Sequence, residues 1–181
     1  PPDPERFGHW EPLLYPFPVE YSRLFGLAAA RGPDLDPLVR FADLLQATAR
    51  TEMDLHRAYA AELGITAAAL AGEPMTPTTR AYTDFLVRVA ATGDFAELAA
   101  ALLPCMWGFS EIGQTLAARG APAEPRYAKW VRMYADPDFA ALADWCRDLV
   151  DRLAAGTDRA TRPRMEESFL ISNRYEYMFW E

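Results

Sequence analysis

The chain has 181 residues, 51% of them hydrophobic and 24% charged, with a formal net charge of −8 at pH 7. That size and balance fit a soluble globular domain with a substantial core, and the acidic excess argues against a nucleic acid or an anionic membrane as partner, since both require a basic face. No apolar run approaches the roughly 20 residues of a membrane span, no secretion signal is evident, and the two cysteines, Cys105 and Cys146, fall in separate predicted helices rather than in a disulfide framework.

A reducing cytoplasm is therefore the expected setting. The chain opens at "PPDPERF", without a methionine, and we expect the native N-terminus to lie further upstream. The segment "WEPLLYPFPVEY" follows. Pro12, Pro16 and Pro18 cannot all sit in a regular helix, so extended or irregular backbone is predicted there.

Strand signals are almost absent and helical periodicity dominates. A helix is predicted from Val19 to Arg31, ended by "RGPD". Asp36, with Pro37 after it, caps a helix running to about Leu63, where Gly64 stops it. Thr76 caps a helix from Pro77 to about Ala91. Asp94 starts a long helix that stops at Gly120, and a shorter piece covers Pro125 to Tyr134. Asp136 and Pro137 repeat the cap pattern for a helix to Ala155, and the last helix covers about Thr161 to Trp180. Short connections and the lack of repeats give one all-α bundle domain over residues 1–181.

The stretch "ALLPCMWGFSEIG", residues 101–113, places a proline inside a helix and a thiol directly after it. Pro104 removes one backbone hydrogen bond, leaves the carbonyl of Ala100 without its usual donor, and costs about 3 kcal/mol in a helix interior. A bundle tolerates such a kink where another group takes up the slack. Cys105 has two readings: an inert buried thiol, or a nucleophile that requires an acid/base partner. The last helix offers one. Met165, Phe169, Ser172, Glu176 and Phe179 recur at helical spacing, so a single carboxylate stands in an apolar stripe. Burial raises a carboxyl pKa toward neutrality, which suits proton transfer; a structural Glu bonded to a Tyr or Arg is the other reading.

A second carboxylate, Glu52, lies on the stripe Leu38, Phe41, Leu45, Thr48, Glu52, Leu55 and Tyr59, four residues before His56. Di-iron bundles use paired Glu-x-x-His motifs, and neither histidine of this chain lies in one. No metal and no cofactor is therefore expected, and His56 is read as structural or surface-facing. Tyr82, Phe109, Tyr134 and Phe179 lie in or beside helices that could face Cys105, and flat aromatics around a thiol and a carboxylate suit a flat, electron-poor ring.

"LLPCMWGFSEIG", "TEMDLHRAYAAELGI", "PTTRAYTDFL" and the terminal "SNRYEYMFWE" together resemble the TenA family. The similarity runs from "ERFGHW" to the end, and its Pro-Cys-x-Trp and Tyr-Glu-x-x-Phe-Trp segments are specific. The resemblance implies an all-α, haem-oxygenase-like helical bundle without haem, commonly a homotetramer. It implies hydrolysis of a substituted aminopyrimidine at its exocyclic methylene, releasing ammonia in salvage or the thiazole when thiamin is cleaved. It also implies Cys105 as nucleophile, Glu176 as acid/base, and Tyr82, Tyr134 and Phe179 as substrate-binding aromatics.

Two departures stand out. Where the family usually has a Tyr four residues after the Cys, this chain has Phe109. Where the family has an Asp that holds the aminopyrimidine edge, this chain has Leu14, followed without a gap by Tyr15 and Phe17. Phe17 and Glu52 are candidate substrate-binding residues, Glu52 as the replacement carboxylate ahead of Glu11 and Glu20. Two other functions fit the same fold: a small-molecule binding bundle without turnover, and a metal-dependent oxidase.

Overall fold

The structure is a computed structural model that describes residues 15–120 and 122–179. Among the described residues the secondary structure is helical throughout, and the helices fall into two compact units divided after Ala91.

The first unit opens with α1, Pro16–Arg31. This helix begins three residues before the predicted Val19, and Pro16 and Pro18 both lie in its first turn. The physical reason is that the first N–H groups of a helix have no intrahelical acceptor, so a proline there forfeits no hydrogen bond. Pro12 and Leu14 lie outside the described residues. Phe17, Tyr21, Leu24, Phe25 and Ala28 form the buried stripe of α1. Arg31, at its C-terminal end, donates through Nη1 to the carbonyl of Ala90.

The second helix, α2, covers Leu35–Ala47. Its cap is Asp34, not Asp36: the Asp34 carboxylate accepts from the N–H of Asp36 at 3.1 Å. The predicted single helix to Leu63 is divided by a wide π turn, Thr48–Glu52, before α3, Met53–Glu62. That turn carries one residue more than an α-turn and rephases the helix. The buried positions run Phe41, Leu44 and Thr48, step five residues to Met53, and continue through His56 and Tyr59. Glu52 and Leu55, expected on the core stripe, are only half-buried, while His56 is buried. Gly64 ends α3 as predicted. At φ +74 it directs Gly64 N–H to Ala61 O at 3.0 Å and Ile65 N–H to Ala60 O at 2.8 Å, the two bonds of a Schellman cap.

A short helix that the sequence reading lacks, α4, covers Ala67–Gly72, with the Thr66 hydroxyl accepting from the Ala69 N–H. It is followed by α5, Pro77–Thr92, capped by Thr76 as predicted: the hydroxyl accepts from the Thr79 N–H at 3.1 Å.

The second unit is built on α6, Phe95–Ala118. Asp94 caps it, accepting from the Glu97 N–H at 2.8 Å, and Gly120 at φ +100 follows its end. Pro104 does not break this helix, which is continuous through it. Every residue from Leu98 to Pro104 is buried, because α7 (Pro125–Tyr134), α8 (Pro137–Gly156) and α9 (Thr161–Phe179) all pack on α6. Contrary to the sequence reading, α6 is long and apolar enough to cross a membrane by length and composition. Most of it is buried within the protein, as befits a core helix apolar on all sides. Its N-terminal half packs with α8 and α9 in a cluster of Ala96, Ala100, Met165, Val150, Leu153, Ala154 and Phe169.

Candidate active site

The geometry of the second unit starts from the register of α6 against α9. Arg164 Nη2 donates to Asp94 Oδ2 at 2.8 Å. One turn on, Ser168 Oγ donates to Glu97 Oε1 at 3.1 Å, and Arg164 Nε also lies 3.7 Å from Glu97 Oε2. One turn further, Ser172 Oγ donates to the main-chain carbonyl of Ala101 at 2.7 Å. Both numbers rise together along these contacts, so the two helices run parallel. The last two bonds share an offset of 71 residues. The same offset relates Cys105 to Glu176, each four residues, and therefore one turn on the same face, beyond Ala101 and Ser172.

Cys105 and Glu176 are both half-buried. Neither cysteine is in a disulfide. Cys146, on α8, is buried, and its burial pushes the thiol up to about 12. That is a thiol that remains protonated and inert at neutral pH. The contrast separates the two cysteines chemically: one is partly accessible, the other sealed in the core.

Phe109 lies one turn after Cys105 on α6. Its ring packs against Tyr134 at 4.9 Å between centroids and against Trp130 at 6.1 Å. Trp130 and Tyr134 also meet, at 4.6 Å. These distances are those of favourable tilted aromatic pairs. Trp130 was not picked out by the sequence reading; its position one turn before Tyr134 on α7 was the available signal. Phe179, three residues after Glu176, is half-buried near the C-terminal end of α9. Trp180, expected in the same helix, lies outside the described residues.

The remaining candidates belong to the first unit. Tyr82 is fully buried on α5, and Phe17 is buried with its ring 5.3 Å from that of Tyr82 and 5.3 Å from that of Tyr21. Glu52 stands on the π turn with Oε1 4.0 Å from His56 Nε2. Glu20 is ion-paired with Arg23 on the surface at 3.4 Å, and Glu11 lies outside the described residues. Among the described residues no group of three or more His, Cys, Asp or Glu side chains is arranged to hold a metal ion.

A family model for the TENA/THI-4/PQQC family matches residues 5–181. The chain belongs to the TenA family. It is 41% identical over 168 residues to the aminopyrimidine aminohydrolase of Halalkalibacterium halodurans, covering 92% of this chain and 75% of that protein. It is 35% identical over 162 residues to the aminopyrimidine aminohydrolase of Bacillus subtilis, covering 90% and 68% respectively. The solved structure of a TenA homologue from Pyrococcus furiosus superposes with a TM-score of 0.89 at 23% identity, covering 99% of this chain and 84% of that one. The fold is therefore all-α and haem-oxygenase-like, and this TenA-family chain is an enzyme. Phe109, expected from the resemblance to depart from a usual tyrosine, packs its ring into this aromatic cluster.

Proposed function

We propose that this protein hydrolyses a substituted aminopyrimidine of the thiamin type, with Cys105 as nucleophile and Glu176 as acid/base. The observation that carries the reading is the α6–α9 register, whose offset relates the only half-buried thiol among the described residues to the carboxylate on the facing helix. The names of the relatives support the substrate class.

The chemistry follows from the two side chains. An electron-poor ring carbon takes a new bond from the Cys105 sulfur, a soft nucleophile suited to a soft electrophile. Glu176 delivers a proton to a ring nitrogen. The electron pair then returns through the ring and expels ammonia, or the thiazole, from the exocyclic methylene. Water adds at that methylene and releases one proton to solvent, the ring nitrogen returns its proton to Glu176, and the ring recovers its aromaticity as the carbon–sulfur bond breaks and the thiolate leaves. Each step moves a proton or an electron pair that the thiol, the carboxyl, the ring and water supply, so no cofactor is needed.

Phe109, Tyr134 and Phe179 offer flat apolar surface for such a ring; the family resemblance adds Tyr82 and Phe17 as candidate substrate-binding residues, and Glu52 is the candidate replacement for the family carboxylate. The resemblance extends the proposal to one TenA-like domain in a homotetramer, for which we propose a reducing, cytoplasmic setting. The test is incubation of the protein with thiamin and, separately, with aminomethyl-pyrimidine, followed by mass spectrometry. Hydroxymethyl-pyrimidine is the expected product. Failure of both compounds to yield it would overturn the reading.

A further inference from the structure

We propose that Ser172 is a positioning residue that holds Glu176 in register with Cys105, an inference that rests on the catalytic pair proposed above. Three observations lead to it. Ser172 is fully buried, at 0% exposure, and its hydroxyl donates to the carbonyl of Ala101 at 2.7 Å. In a regular helix the carbonyl of residue 101 is also the acceptor for the N–H of residue 105. A carbonyl oxygen has two lone pairs and accepts both. One peptide group therefore joins the backbone beneath the nucleophile to the turn of α9 that precedes the acid/base.

Pro104 makes this tie matter. It lacks an N–H and so leaves the neighbouring carbonyl, that of Ala100, without its helical donor. The turn that carries Cys105 is thus short of one internal hydrogen bond. The bond from α9 arrives at the adjacent carbonyl, fully inside the core, where a hydrogen bond is stronger than in water and its loss leaves a buried polar group unmatched. An interhelical bond at that point fixes the azimuth and height of α9 relative to the weakened turn. Ser168 provides an internal comparison. It makes a part-buried hydroxyl bond one turn earlier, to the Glu97 carboxylate at 3.1 Å, away from the carbonyl that Pro104 leaves without its donor.

The experiment reads the coupling between the two groups directly. Iodoacetamide alkylation of Cys105 is followed by peptide mapping in wild type and Glu176→Gln, and the ratio of the two rates measures how far the carboxyl acts on the thiol. The same ratio is taken in Ser172→Ala and Ser168→Ala backgrounds. Glu176→Gln is expected to change the rate about threefold or more, as directly coupled groups do. That ratio collapses toward one with Ser172→Ala and persists with Ser168→Ala, although both substitutions lower the melting temperature. In turnover, Ser172→Ala lowers kcat and leaves KM unchanged. Should the alanine variant fail to fold, Ser172→Cys, which fills the site with a weak donor, gives the same collapse. A ratio that survives Ser172→Ala overturns the inference while the catalytic pair stands. A ratio of one in wild type overturns the pair, and the inference with it.

Discussion

A Cβ atom on Gly113 would lie 2.5 Å from the carbonyl carbon of Tyr134 and 2.7 Å from its oxygen. The backbones of α6 and α7 meet there, and only a residue without a side chain fits. The contact sets the height of Tyr134 on α7 and so the place of its ring against Phe109. The obstacle is backbone rather than the tip of a flexible side chain, so the helices must part. Gly113→Ala is expected to destabilise the protein by about 1–3 kcal/mol from overpacking. The roughly 0.5–1 kcal/mol by which Ala favours a helix does not offset that. Gly108, on the same helix, has nothing within 4 Å of its would-be Cβ. Gly108→Ala should raise the melting temperature while Gly113→Ala lowers it. Thermal melts that shift in the same direction for both would contradict this account.

The two cysteines should part company in function. Cys105→Ser changes little volume and is expected to abolish hydrolysis with the melting temperature nearly unchanged. Cys146→Ser is expected to leave kcat and KM as they are, because its thiol is sealed in the core on α8. A turnover assay in which both variants behave alike would refute the nucleophile assignment.

Cys146 also carries a stability prediction. Burial raises its folded-state pKa to about 12, above the ordinary cysteine value of about 8.5. The unfolded chain therefore releases this proton first. The contribution of the buried thiol is fully present below about pH 8.5 and is lost progressively as pH rises toward 12. Cys146→Ala removes that titration. Denaturant melts between neutral and alkaline pH should show the difference in stability between wild type and Cys146→Ala shrinking as pH rises. A difference that stays constant would rule out the shift.

Glu176→Gln keeps the shape of the side chain and removes its proton transfer. The expected loss in kcat is about 10²-fold or more, as for removal of a general acid/base. A variant with near-normal kcat and a lower melting temperature would make Glu176 a structural residue.

The bounds of α5 to α9 were legible because their ends are local chemistry. Thr76 with Pro77, Asp94 with Glu97, and Gly120 each satisfy hydrogen bonds within a few residues, and such patterns are written in adjacent letters. The π turn was not legible. One extra residue between Thr48 and Met53 leaves no compositional mark, yet it buries His56 and moves Glu52 partly into solvent. The proline-rich start misled for the opposite reason: two prolines that look like helix breakers sit where no hydrogen bond is lost. Cys105 and Glu176, the pair proposed here, stood out in the sequence as two unusual residues on apolar faces. The register of α6 against α9 was not legible, because it depends on hydrogen bonds between residues 71 apart, such as that from Ser172, which in the sequence is one more small residue in a stripe.

The proposed recognition of a pyrimidine needs an acceptor for the ring's amino group, and Glu52 is the candidate for that acceptor. By the resemblance noted in the sequence, Leu14 falls where an Asp would hold the aminopyrimidine edge, and an apolar side chain cannot accept a hydrogen bond from the ring's amino group. Glu52 is half-buried on a π turn, an irregularity often found at functional sites because it re-aims side chains. Its carboxylate lies 4.0 Å from the buried His56. If Glu52 replaces the missing Asp, Glu52→Gln loses the charge of the acceptor while keeping its length. Binding of a 4-amino-2-methylpyrimidine ligand is then expected to weaken by at least about 1.5 kcal/mol, roughly tenfold. Leu14→Asp is expected to strengthen it, since the family's own acceptor is restored. Isothermal titration of wild type and both variants, with thermal melts to confirm folding, makes the comparison. Tight wild-type binding that neither substitution alters would exclude Glu52 and place recognition of the amino edge elsewhere in the chain.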